Sequence, residues 1–265
     1  MKKLIVFDQD DTINITKLPI DSEMALLIRS LLERFKVCII SGTNWEVMKI
    51  NDVNTLKNMG PINWDNYMIM PTTGTQFWRY VGDKNEILLD GQIIDDGFKR
   101  EYAYFLTSKQ INKIFSIIEK ASRSLGYWCE EPSGEIIENR GSQVTFSALG
   151  QWATPEEKHS WDPDMKKRKA IVSLIEPELV DLGLKIGIGG ATSIDITLPG
   201  IDKAYGMERL MEQTGLEKED ILFIGDKLQP GGNDYPVKEI GIDTIEVSNA
   251  ENTKWILRGI LSVLT

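Results

Sequence analysis

The chain has 265 residues, 42% hydrophobic and 26% charged, which fits one or two globular domains with a sizeable core. Forty acidic residues against thirty basic ones give a formal net charge of -10, which disfavours general binding to nucleic acid or to anionic membrane surfaces. A small anionic substrate stays compatible, because a bound divalent cation can reverse the sign locally.

His159 is the only histidine, and Cys38 and Cys129 are the only cysteines, with no metal-ligand spacing between them. A histidine-activated serine or cysteine centre is excluded unless His159 alone supplies the base. Cys38 lies in an apolar run and reads as a core residue. There is no signal-peptide pattern and no apolar stretch of about 18 residues, so a reducing cytoplasm is the expected compartment.

Residues 4–7 (Leu-Ile-Val-Phe) form a short apolar run ending in Asp8, as in a strand buried on both faces of a parallel sheet. Residues 21–34 carry Met24, Leu27, Ile28, Leu31 and Leu32 on one helical stripe. Residues 37–40 give a second apolar strand, running into Ser41-Gly42-Thr43. Phe77, Trp78 and Tyr80 form an aromatic cluster suited to packing. Residues 102–106 read as strand or turn, and 108–125 as an amphipathic helix with Ile111, Ile114, Phe115 and Ile118 in phase. Residues 135–137, 143–147, 185–188 and 193–198 have β character, and a helix falls within 163–182. Residues 205–214 and 252–263 read as helices, 221–224 as a strand ending in Gly225-Asp226, and 244–247 as a further strand.

Strands alternating with helices at both ends imply an α/β fold with a Rossmann-like, doubly wound parallel sheet. The mixed middle implies an inserted α+β domain. The expected boundaries are core 1–82, insertion 83–199 and core 200–265.

Three strands end in polar clusters, at Asp8-Gln9-Asp10-Asp11-Thr12, at Ser41-Gly42-Thr43 and at Gly225-Asp226. In an open α/β sheet the carboxyl ends of the strands line the ligand crevice, so these clusters are expected to meet there. Clustered carboxylates resist ionising together unless a cation compensates, and an all-oxygen set suits magnesium. An aspartate can then attack phosphorus, while a second one two residues on serves as acid and base. A hydroxyl donor and a lysine would hold the non-bridging phosphate oxygens.

This order of motifs resembles the haloacid dehalogenase superfamily, and the long insertion resembles its type IIB cap. Gly225-Asp-Lys-Leu-Gln-Pro-Gly-Gly-Asn-Asp234 is similar to the corresponding segment of eukaryotic-type phosphomannomutases. So are Gly189 to Asp195, Ile201-Asp-Lys203 and Arg140 to Gly150. The general resemblance spans the whole chain, and the close one mainly residues 135–150 and 185–236.

The resemblance implies that Asp8 is the nucleophile and Asp10 the general acid/base. It implies that Mg2+ is held by Asp8, the backbone carbonyl of Asp10 and Asp226, supported by Asn233 and Asp234. Ser41, Gly42 and Lys203 would bind the transferring phosphate, with Lys203 sharing in catalysis. On the cap, Arg140, Ser193 and Asp195 would meet the far end of a phosphosugar. The mutases clamp a second phosphate there with three arginines, of which only Arg140 matches. Ser133 and Gln151 stand at the other two positions, and Lys17 at a core position usually held by arginine. Serine and glutamine are poor substitutes for bidentate forks. The expectation is therefore a magnesium-dependent phosphatase acting on a small phosphorylated metabolite such as a sugar phosphate, with a phosphohexomutase as the alternative. No nucleic-acid or membrane partner is expected, and a homodimer through the cap is carried as an expectation.

Overall fold

A computed structural model describes residues 1–82 and 87–263. The strands are β1 (Leu4–Asp8), β2 (Lys36–Ile40), β3 (Tyr67–Met70), β4 (Gln76–Tyr80), β5 (Ile93–Asp95), β6 (Phe98–Ala103), β7 (Ile137–Asn139), β8 (Gln143–Ser147), β9 (Lys185–Gly189), β10 (Ser193–Thr197), β11 (Ile221–Gly225) and β12 (Asp243–Glu246). They form an eight-stranded sheet, order β12-β11-β1-β2-β3-β4-β6-β5, and a four-stranded sheet, order β7-β8-β10-β9. The chain divides into two compact units, Met1–Ala103 with Ile201–Thr265, and Tyr104–Gly200.

In the first unit, β12, β11, β1, β2 and β3 are parallel, and β4, β6 and β5 extend the sheet antiparallel. The central strands read as unbroken apolar runs because both faces are covered, yet the two-residue period still sorts the side chains. Ile5, Phe7, Val37 and Ile39 pack with the helix Ser22–Leu32 and with Leu257 of the helix Ala250–Ser262. Leu4, Val6, Cys38 and Ile40 pack with Met207 and Leu210 of the helix Lys203–Thr214. Continuing the alternation, Asp8 leaves the strand on the face that carries Lys203.

The expected boundary at residue 83 falls outside the described residues. The strands after it correct the extent of the insertion: β6 pairs onto β4 and β5 onto β6, so the second unit begins at Tyr104. The aromatic cluster belongs to this extension. Trp78 stacks on Trp45 with ring centroids 4.1 Å apart, and Phe77 stacks on Tyr102 at 6.2 Å.

The second unit is an antiparallel sheet backed by the helices Ser108–Ser124 and Lys166–Asp181. Val144, Phe146, Ile194 and Ile196 point to the helices. Gln143, Thr145, Ser147, Ser193 and Asp195 alternate with them and form a polar opposite face. The architecture is therefore a Rossmann-like core with an inserted α+β cap.

Candidate active site

β1 delivers Asp8 to the carboxyl end of the sheet, where the chain folds into a tight loop. The N–H groups of Ile13 and Asn14 both donate to the carbonyl of Gln9, at 3.0 and 3.4 Å. Thr12 Oγ1 returns to Asp8 Oδ2 at 3.3 Å. The Lys17 N–H donates to Asp10 Oδ1 at 2.9 Å, which fixes the second carboxylate. Asp11 sits at φ 59°, a left-handed conformation that short polar side chains tolerate. Its carboxylate accepts from Thr16 Oγ1 at 2.8 Å. Asp11 therefore closes the loop rather than entering the chemistry.

Lys203 lies in the first turn of its helix, whose N-cap Asp202 accepts from the Tyr205 N–H at 2.9 Å. That helix rests on the turn after β3: a Cβ on Gly206 would come 2.4 Å from Ile40 Cδ1 and 3.1 Å from the Thr73 carbonyl. Only glycine permits this approach, and it brings the Lys203 ammonium down onto the strand ends. Lys203 Nζ donates to both Asp8 Oδ1 and Asp234 Oδ1 and is 2% exposed.

The loop after β11 supplies the rest. Asp234 Oδ2 accepts from the Lys227 N–H at 3.0 Å, and Lys227 Nζ stands 3.0 Å from Asp226 Oδ2. A Cβ on Gly225 would come 2.5 Å from Asp234 Oδ2, so glycine is needed for the loop to fold back. Asn233 is exposed beside buried Asp234. Ser41 is buried at the end of β2, and its Oγ accepts from the Thr43 N–H at 3.1 Å, leaving the hydroxyl proton to donate. Beyond it, the space above Gly42 is open, with Thr73 Oγ1 3.9 Å from where a Cβ would stand.

Burial raises the Asp8 carboxyl above the usual carboxylate range, with Asp234 and Asp226 adding and Lys203 opposing. Burial also raises Asp10, with Asp11 adding and the Lys17 N–H opposing. For Lys203, burial works against the ammonium, but Asp8 and Asp234 outweigh it and the pKa rises. Lys227 behaves likewise, raised by Asp226 and, more weakly, by Asp8 and Asp11.

Carboxylate oxygens of Asp8, Asp226 and Asp234 lie within 4.8 Å of one another. Asp226 Oδ1 is buried with no hydrogen-bond partner. An orphaned buried oxygen in an all-oxygen cluster fits a hard divalent cation. Asp234 has both oxygens engaged already, so it holds Lys203 and the loop in place, while Asp226 carries the free ligand atom.

On the cap, Arg140 Nη2 pairs with Glu138 Oε2 at 3.0 Å. Asp195 Oδ1 accepts from Gln143 Nε2 and Thr145 Oγ1, each at 2.8 Å. Ser193 shares that face two residues earlier on β10. Ser133 and Gln151 lie in adjacent loops, where the Ser133 carbonyl accepts from the Trp152 N–H at 2.7 Å. Oriented to satisfy its neighbours, the Gln151 amide donates to Glu138 Oε2 at 3.1 Å.

In the first unit the structure brings together Asp8, Lys203, Asp226 and Asp234. It adds Thr12 and Lys227, whose parts the sequence did not reveal. The signal for Lys227 was its place beside Asp226 in an otherwise uncharged turn.

The fold and this constellation define a phosphoryl-transfer enzyme of the haloacid dehalogenase superfamily. Among solved structures, the chain is similar to an IMP-bound IMP-nucleotidase mutant of Plasmodium falciparum (TM-score 0.64, 17% identity, 99% of this chain and 67% of that one). It is also similar to a haloacid dehalogenase-like hydrolase from Bacteroides thetaiotaomicron (TM-score 0.63, 15% identity, 98% of this chain and 100% of that one). These two establish the fold. The eukaryotic phosphomannomutase family model matches residues 107–263, more than half of the chain, and the chain belongs to that family. Relatives include phosphomannomutase 2 of Dictyostelium discoideum, 26% identical over 88% of this chain and 86% of that protein. The phosphomannomutase of Schizosaccharomyces pombe is 26% identical over 99% and 95%.

Proposed function

We propose that this chain is a magnesium-dependent phosphohexomutase, transferring a phosphoryl group to and from a hexose phosphate through Asp8. The observation that carries the reading is family membership across residues 107–263, the stretch holding the cap, Lys203 and the Asp226 loop. The named relatives favour the mutase over the phosphatase expected from the cap substitutions.

Asp8 would attack the phosphorus and Asp10 would protonate the leaving sugar oxygen. Asp10 would then take the proton of the accepting hydroxyl as it attacks the phosphoaspartate. Lys203 and Ser41 would hold the non-bridging oxygens, with Gly42 leaving room for them. Mg2+, held by Asp8, the Asp10 carbonyl and Asp226, would neutralise phosphate charge. On the cap, Arg140, Ser193 and Asp195 would orient the sugar. In such a mechanism water must be kept from the phosphoaspartate. The raised carboxyl of Asp10 suits the acid role, and the free Cys38 and Cys129 suit a reducing compartment. Among the described residues no helix is long and apolar enough to cross a membrane.

A specific observation favours a second reading, a phosphatase. Ser133 and Gln151 stand where arginine forks would clamp a second phosphate, and Gln151 contacts Glu138 instead. The two readings separate when hexose 1-phosphate is supplied with a trace of hexose 1,6-bisphosphate and Mg2+. Hexose 6-phosphate without free phosphate is the expected product. Inorganic phosphate alone, across many monoesters, would reject the mutase.

A further inference from the structure

The cap contains a buried ion pair that the phosphoryl chemistry does not use. Asp162 and Arg168 are 2% and 3% exposed. Asp162 Oδ1 accepts from the Lys167 N–H at 2.9 Å, and its Oδ2 accepts from the Arg168 N–H at 3.1 Å. The carboxylate thus caps the helix Lys166–Asp181. Oδ2 also takes Arg168 Nε at 2.8 Å.

The rest of the guanidinium reaches the β9–β10 turn. Nη1 donates to the Gly189 and Gly190 carbonyls, at 3.1 and 2.7 Å, and Nη2 to the Asp162 carbonyl at 3.3 Å. A Cβ on Gly189 would come 2.6 Å from Asp195 Oδ2. Gly190 has φ +47°, and a Cβ there would stand 3.9 Å from Ser193 Oγ. The turn therefore abuts both Asp195 and Ser193, and Gln143 and Thr145 hold Asp195 from the other side. Burying an ion pair carries a desolvation cost that stability alone rarely recovers, so a pair aimed at backbone carbonyls points to placement. Only a planar fork can hold the carboxylate and two successive carbonyls together.

We infer that Arg168, held by Asp162, is a positioning residue that sets the Gly189–Gly190 turn and so the placement of Ser193 and Asp195. The inference rests on the reading that Ser193 and Asp195 meet the sugar. The test uses the full chain, with hexose 1-phosphate primed by bisphosphate as one substrate and p-nitrophenyl phosphate, which has no sugar, as the other.

Arg168→Met is expected to raise KM for the hexose phosphate about tenfold, with kcat and p-nitrophenyl phosphate turnover within about twofold. Arg168→Lys keeps the charge without the fork and should raise KM roughly threefold. Lys254→Met removes a buried ammonium from the first unit, lowers the melting temperature and should leave KM unchanged. An unchanged KM in Arg168→Met overturns the inference. If that variant does not fold, an unchanged KM in Arg168→Lys does the same. Ser193→Ala tells the two levels apart. If it leaves KM unchanged, the sugar-contact reading fails. If it raises KM while both Arg168 variants do not, the positioning role alone fails.

Discussion

In the first unit, the carboxylates of Asp8, Asp226 and Asp234 face two ammonium groups, Lys203 and Lys227, and one buried oxygen of Asp226 is left without a partner. In the cap, Glu138 and Asp195 face the guanidinium of Arg140, and serine, threonine and glutamine side chains take up the carboxylate oxygens. The first arrangement holds charge in tension, and its unpartnered Asp226 oxygen suits a hard cation. The second also carries one carboxylate in excess, but spreads it through a hydrogen-bond lattice over a sheet face. Loss of one group should therefore abolish chemistry in the first unit but only change affinity in the cap.

Asp8→Asn gives the largest expected effect. It removes the proposed nucleophile while keeping the shape, and turnover should fall by roughly three orders of magnitude or more. A single-turnover experiment with labelled hexose bisphosphate should show no phosphoprotein. Retained phosphorylation would place the nucleophile elsewhere.

Lys203→Met should come next. It removes one of the charges proposed to hold the transferring phosphate, and kcat/KM should fall about 10²–10³-fold. It also leaves Asp8 and Asp234 buried without their counter-ion, at a cost on the order of 3–5 kcal/mol. Because Asp226 offers a free oxygen, added Mg2+ should recover part of that stability in urea unfolding. A variant as stable as the parent without metal would contradict the tension described above.

Parts of this contrast were legible in the sequence, and parts were not. β1, β2 and β11 are interior parallel strands, so burial on both faces leaves them as apolar runs that end abruptly in Asp8, Ser41 and Asp226. Those endings mark the sheet edge at which the carboxylates of Asp8 and Asp226 meet. β3 (Tyr-Met-Ile-Met) carries a weak strand signal in the sequence, since methionine has no strand preference and Pro71 follows at once. The antiparallel extension was missed for a different reason. β5 is a three-residue edge strand with exposed Ile93 and Ile94, and only its pairing with β6 assigns it to the large sheet. Asp11 had no account until its left-handed φ and its bonds to Thr16 appeared, because a loop closure leaves no periodicity. The Asp162–Arg168 pair was equally silent. Its six-residue spacing is unremarkable until the Gly189–Gly190 turn is brought against it.

Gln151→Arg sharpens the comparison at the cap. It restores one fork beside Arg140 and sets two cations against Glu138 and Asp195, so affinity for hexose bisphosphate should rise about tenfold. The ratio of hexose 6-phosphate to free phosphate should rise with it, read by the same product assay. If the ratio is unmoved, Ser133 and Gln151 do not decide between sugar and water as the acceptor.

The smallest effect concerns the pH dependence of stability. In the cap, burial works to raise Asp162, but Arg168 and the N–H groups of Lys167 and Arg168 outweigh it and hold the carboxyl below its usual range. A depressed carboxyl pKa contributes stability that is present above the unfolded value, about 3.9, and is lost as pH falls through the folded value. In the first unit, burial opposes the Lys254 ammonium, yet Asp21 and Glu251 raise its pKa. That contribution is present below the unfolded lysine value, about 10.4, and disappears only as pH rises through the folded one. Acidification should therefore weaken the cap through Asp162 and the first unit through Asp21, whose carboxyl burial works to raise but Lys254 and the Met24 N–H hold below its usual range. Urea unfolding between about pH 6 and pH 3 should show a decline that Asp162→Asn flattens by on the order of 1 kcal/mol. Lys254→Met should leave the Asp162 share of that decline in place. Equal slopes in the parent and in Asp162→Asn would mean that the pair contributes placement without titrating stability.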